Sequence, residues 1–102
     1  MIVKLGGEEV NVTKTHIEIN IRSLFMSAGK IYNFTNNSPA ISINKAILQF
    51  ALKFKKKLLI RVKGGEGKEI SPEDYLNLVH KYKSIYRTKG GMELYVYPVN
   101  EL

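Results

Sequence analysis

Three groups of residues in this 102-residue chain have types and spacing that suggest chemistry. The first is Glu66, Glu69, Glu73 and Asp74, the one concentrated set of acids. Carboxylates gathered this way hold divalent metal in nucleases. Glu73 and Asp74 are adjacent, however, so on a helix they point about 100° apart, and acids in a first helical turn are ordinary dipole chemistry. The second is Gly64-Gly65-Glu66-Gly67-Lys68. A phosphate-binding Walker loop needs glycine, four residues, then Gly-Lys-Ser/Thr. Here Val62 occupies the first glycine position and Glu69 replaces the hydroxyl residue. A dinucleotide GxGxxG fails as well, because Ile70 stands where the last glycine belongs. The third is His80 with Lys83 and Arg87, at helical spacings of three and seven. No nearby carboxylate orients His80 and no nucleophile pairs with it, and His16, on the polar face of a strand, reads the same way. We therefore expect no catalytic residue, no metal site and no cofactor, and a protein that is not an enzyme.

Charge is the stronger signal. Residues 42–63 carry Lys45, Lys53, Lys55, Lys56, Lys57, Arg61 and Lys63 with no acid, and residues 80–89 carry Lys81, Lys83, Arg87 and Lys89, again with none. These two blocks exceed the whole formal net charge of +7. Clustered cations repel one another in a folded chain, so such clusters are kept for polyanionic partners. On a helical wheel Lys45, Lys53, Lys56 and Lys57 fall on one flank, a ridge about 18 Å long at 1.5 Å per residue. With Arg61, Lys83 and Arg87 they form the expected nucleic-acid-binding set. Tyr95 and Tyr97, on one face of the last strand, are candidates for base stacking. The aromatic signature of RNA-recognition domains is missing.

The elements that must position these residues follow from periodicity. Residues 2–5 and 10–13 flank Gly6-Gly7-Glu8-Glu9, a hairpin signal. Residues 15–21 alternate, with Ile17, Ile19 and Ile21 on one face and His16, Glu18 and Asn20 on the other, which predicts a half-buried strand. Residues 22–28 suggest a helical turn and residues 30–35 a strand. Ser38 and Pro39 fit the start of a helix running to about Lys57, with Ile43, Ala46, Ile47, Phe50, Ala51 and Phe54 as its core stripe. Ile41, Leu48 and Leu52 lie on that helix's other side and suggest a homodimer contact. Residues 58–63 read as a strand. Ser71-Pro72-Glu73-Asp74 opens a second helix, with a stripe of Tyr75, Leu78, Val79, Tyr82, Ile85 and Tyr86 that ends at Gly90-Gly91. Residues 92–99 are the final strand, with Pro98 at an edge or strand end.

The expected architecture is a single α+β domain over residues 1–102. Its mixed sheet of about five strands carries two amphipathic helices mainly on one face, as an N-terminal β-meander followed by βαβαβ. Without cysteine, disulfides and thiolate metal sites are excluded. No signal peptide and no membrane span is visible, so an intracellular protein is expected. In length, lack of cysteine and Ile/Lys/Tyr/Asn bias, the chain resembles the small orphan proteins of viruses that infect hyperthermophilic archaea, filamentous ones included. That resemblance implies an intracellular setting, host cytoplasm for a virus, with nucleic-acid or virion contact, and it assigns no residue a role. The leading expectation is a non-catalytic protein binding DNA or RNA. A homo-oligomeric structural protein whose charge serves solubility comes next, and a small metal-dependent nuclease third.

Overall fold

The alternation in the N-terminal half builds a mixed five-stranded sheet in the computed structural model, which describes residues 1–21 and 40–98. Strands β1 (Ile2–Leu5), β2 (Glu8–Val12) and β3 (His16–Ile21) form an antiparallel meander. Strand β5 (Lys57–Val62) pairs with β3 in parallel, from His16 opposite Lys57 to Ile21 opposite Val62, and β6 (Gly67–Ile70) pairs antiparallel with β5. The sheet order is β1-β2-β3-β5-β6. Ile17, Ile19, Ile21, Leu58 and Ile60 are buried on one face, against Ile47, Leu48 and Ala51 of helix α1 (Lys45–Lys53) and Tyr75 and Val79 of helix α2 (Pro72–Tyr82). The α+β class and the single helical face thus follow the period-two and period-3.6 patterns.

The second half departs from the expected βαβαβ. Strand β4 (Ala40–Asn44) lies where the first helix was expected to start, and it joins β8 (Glu93–Pro98) and β7 (Ile85–Arg87) in a second, three-stranded antiparallel sheet of order β4-β8-β7. Neither helix therefore lies between consecutive strands of one sheet, although α1, with β4, lies in the crossover between the parallel strands β3 and β5. The expected turn at residues 22–28, strand at 30–35 and cap at Ser38 lie outside the described residues. Helix α2 opens as the sequence indicates, with Ser71 Oγ accepting from Asp74 N and Pro72 in the first turn. It stops at Tyr82 rather than near Gly90, because Ser84 is buried and its hydroxyl donates to the Val96 carbonyl at 2.7 Å, turning the chain into β7.

Helix α1 is shorter than its apolar stripe suggested, because Asn44 starts it. Asn44 Oδ1 accepts from Ile47 N at 3.0 Å, the N-cap bond, and its Nδ2 donates to the Leu5 carbonyl at 2.9 Å. One buried amide thus joins the start of α1 to the end of β1. Gly6, at φ +61, lies so close that a Cβ there would sit 2.5 Å from Asn44 Oδ1.

Both helices end in the same hydrogen-bonded reversal. Lys55 N donates to Leu52 O and Lys56 N to Ala51 O, and Lys83 N donates to His80 O and Ser84 N to Val79 O. This is the Schellman arrangement, whose left-handed position is usually glycine. Here it is Lys55 at φ 53 and Lys83 at φ 51. The turn after β5, closed by Gly65 N donating to Val62 O, also has left-handed central residues, Lys63 at φ 52 and Gly64 at φ 72. A side chain in this region costs roughly 1–2 kcal/mol.

Replacing Asn44 with Ala removes the cap and leaves the Leu5 carbonyl without its side-chain donor. The expected loss is about 2 kcal/mol in urea unfolding with an unchanged m-value. A loss within ~0.5 kcal/mol, the range of ordinary surface substitutions, would show that this amide does not join the two parts.

Candidate nucleic-acid interface

The register of β3 and β5 brings one end of the first basic block to the meander. Lys57 N donates to the Thr15 carbonyl, and Lys56 Nζ donates to the carbonyls of Thr13 at 2.6 Å and Lys14 at 3.1 Å. The exit of α1 and the β2–β3 turn therefore form one surface, bearing Lys14, Lys53, Lys55, Lys56 and Lys57. All except Lys56 are exposed. Lys53 extends over the Phe54 ring, 5.5 Å from its centroid, and Phe54 packs on Phe50 with centroids 4.5 Å apart. The Lys53 ammonium thus sits over an apolar ledge made by Phe54 and Phe50.

The seven cations expected to bind phosphate do not form one ridge. The helix ends at Lys53, so Lys56 and Lys57 lie beyond it, and Lys45 sits at its opposite end, about 12 Å away at 1.5 Å per residue. Lys45 Nζ lies 3.0 Å from Glu93 Oε1, which is also 3.8 Å from Arg87 Nη2. The two basic blocks meet there, and a shared carboxylate partly neutralises them. Lys56 is committed to two carbonyls, and Lys57 lies 3.2 Å from Glu69. Arg61 stands exposed on the outer sheet face, 3.5 Å from the Gly65 carbonyl. Lys83 is exposed at the end of α2 and does not share a helix face with Arg87, which belongs to β7.

The apolar stripe expected to meet a second copy is covered by the chain itself. Ile41 belongs to β4, not to the helix, and is 0% exposed, while Leu48 is 2% exposed within the main core; only Leu52, at 39%, reaches solvent. Tyr95 is not available to stack on a base either. It is buried, and its carbonyl accepts from the Tyr75 hydroxyl at 2.6 Å.

One polar constellation escaped the sequence. His16 Nε2 lies 2.7 Å from Glu69 Oε2, and His16 Nδ1 lies 2.6 Å from Thr15 Oγ1. The carboxylate only accepts, so Nε2 carries a proton and, in the neutral ring, Nδ1 accepts from the threonine. Glu69 and His16 are 53 residues apart and meet because β5 places Lys57 opposite His16 and Leu59 opposite Glu69. No local spacing signals this. A hydroxyl, an imidazole and a carboxylate in series resemble a hydrolytic relay, but the chain lies on an open sheet face, where it ties β3 to β6 across β5. Glu73 and Asp74 stay in the first turn of α2, apart from Glu69. Among the described residues, no three His, Asp or Glu side chains converge as metal ligands.

A groove of about 890 Å³ is lined by residues of both sheets and their turns, among them Glu8, Glu9, Glu18, Ser42, Arg61 and Met92. Among the described lining residues, three carboxylates against one guanidinium disfavour a phosphate backbone. None of the described helices is long and apolar enough to cross a membrane.

Fold and surface together define an α+β protein with two packed sheets and a lysine-rich turn surface. Compared with known proteins, the chain matches no family model, no curated protein and no solved structure.

The His16 hydrogen bond, and after it Lys57, holds the Glu69 carboxyl below its ordinary range. A carboxyl lowered in the folded state stabilises the fold above its unfolded pKa, and that contribution fades as pH falls through the folded value. Acid titration of stability should therefore show a component below about pH 4.5 that Glu69→Gln removes. Identical acid profiles for the two proteins would rule out the contribution.

Proposed function

We propose that the protein binds nucleic acid without catalysis, through phosphate contacts that are indifferent to sequence. The observation that carries this reading is the gathering of Lys14, Lys53, Lys55, Lys56 and Lys57 where α1, β5 and the β2–β3 turn meet. Among the described residues, Glu69 is the one carboxylate ion-paired with any of the five. Charge held together this way opposes folding through self-repulsion, and phosphate neutralises it. The alternative, a homo-oligomer whose charge serves solubility, loses two of its three contact residues to the core, since Ile41 and Leu48 are buried. The setting we propose is intracellular, where nucleic acid is the abundant polyanion; for a virus of the kind the composition resembles, that is the host cytoplasm.

Binding to a labelled duplex should weaken with salt. With about five phosphates engaged, log K falls against log salt with a slope of about −4.5, and unrelated sequences bind alike. Lys56 is a poor probe, because its ammonium supports the β2–β3 turn. The combined Lys14→Ala and Lys53→Ala variant leaves those hydrogen bonds intact and should make the slope shallower by about 2. Absence of binding at ~50 mM salt by the folded protein would overturn the reading, since phosphate contacts are strongest at low salt.

A further inference from the structure

We infer that Lys55, Lys63 and Lys83 are phosphate-contact points for the bound nucleic acid, kept at backbone positions where glycine or asparagine would serve the fold better, and that the last two extend the footprint beyond the α1 exit. The inference rests on the functional reading above and adds which cations make contact and how long the partner must be.

These three are the non-glycine residues with positive φ among the described residues, and all three are lysines. Left-handed positions ordinarily go to glycine, then to asparagine or aspartate, whose short side chains bond locally. The chain has eight asparagines, yet the described ones, Asn11, Asn20, Asn44 and Asn77, all lie elsewhere. Local electrostatics does not account for the choice. Helix dipoles favour a cation near the exits of α1 and α2, but Lys53 and Lys81 already supply one within each last turn. Lys63 follows a strand, where no helix dipole acts. Each of the three is exposed, and none has a carboxylate within ion-pair distance among the described residues. Lys4, Lys53, Lys68 and Lys81, on regular elements, are likewise exposed and without an ion pair among the described residues, so it is the left-handed backbone that sets these three apart. Backbone strain retained at exposed, unpaired cations is the signature of a group kept for a ligand.

The spacing defines the ligand further. Lys55 and Lys63 bracket β5, whose six residues hold the two turns on the order of 20 Å apart at ~3.3 Å per residue. Phosphates on one strand repeat every ~3.4 Å, so the pair spans about six nucleotides. A mononucleotide or a free phosphate meets one lysine at a time. An extended strand meets both.

The test compares wild type with a triple variant, Lys55→Asn, Lys63→Asn and Lys83→Asn, in anisotropy titrations on a 20-base-pair duplex. Asparagine adopts the left-handed conformation without the charge. The variant should unfold at the wild-type temperature or above it, bind at least tenfold more weakly at ~50 mM salt, and show a salt slope shallower by about 2.7. The matching triple Lys→Arg variant should bind like wild type. A triple Lys→Gly variant should melt several degrees higher and bind as weakly as the Asn variant. Trinucleotides should compete far less well than a 12-mer at equal total phosphate. If wild type binds and the folded Asn and Gly variants bind within twofold of it with the same slope, the inference fails while the functional reading stands. If wild type does not bind at all, both fail. Failure of both the Asn and Gly variants to fold would refute the premise that small residues suit these positions.

Discussion

The side chain of Asn44 holds together parts of the molecule that the chain itself keeps far apart. Its carbonyl starts α1 and its amide fastens the end of β1, 39 residues earlier. A buried amide with either partner removed becomes a desolvated polar group, so both bonds form together or the site is destabilising. The interaction sets where β4 ends and α1 begins, and so sets the phase of the helix. With that phase, Ile47, Leu48 and Ala51 face the core while Lys45 and Lys53 face water. Gly6 completes the arrangement by giving the amide room that a side chain would fill.

The contrast between legible and illegible parts follows from the range over which each signal acts. The meander was readable because Ile17, Ile19 and Ile21 alternate with His16, Glu18 and Asn20, and the start of α2 because Ser71-Pro72-Glu73-Asp74 is a local cap. Residues 40–44 misled, because a run of apolar residues ahead of a helix fits the helical period as well as a strand buried on both faces. Only pairing with β8, from Ala40 opposite Pro98 to Asn44 opposite Leu94, decides for the strand. The end of α2 misled for a similar reason. Ile85 and Tyr86 continue the helical stripe, and the buried Ser84 hydroxyl that ends it bonds to Val96, twelve residues on. The second apolar side attributed to the first helix was the same error seen from another angle, since Ile41 was never on the helix.

The candidate surface was legible as composition and illegible as geometry. The basic blocks were plain in the sequence, but the sequence did not reveal that Glu93 holds Lys45 and Arg87, that Glu69 holds Lys57, or that Lys56 supports a turn. Those partners lie between 6 and 48 residues away. Among the described cations on regular elements, Lys45, Lys57 and Arg87 are ion-paired while Lys4, Lys53, Lys68 and Lys81 are not, so pairing follows the strand register rather than the element type. Lys56 gives the β2–β3 turn a structural lysine within an otherwise solvated cluster.

The pairing of the strands also governs when this protein can fold. The parallel β3–β5 ladder joins Ile17 to Leu58, and β4 finds its partner only in β8, with Ile43 opposite Tyr95. The β3–β5 and β4–β8 pairings therefore wait for distant sequence, whereas the β1–β2–β3 meander pairs locally, and it is the non-local pairings that slow folding. At roughly 5–20 residues per second, a ribosome takes several seconds to make the chain. Until residues 93–98 emerge, β4, with four of its five residues buried in the finished fold, has no strand to cover it. A nascent chain thus presents an apolar, unpaired strand from the synthesis of residue 44 until β8 follows, so the second sheet can close only after the meander has its partners.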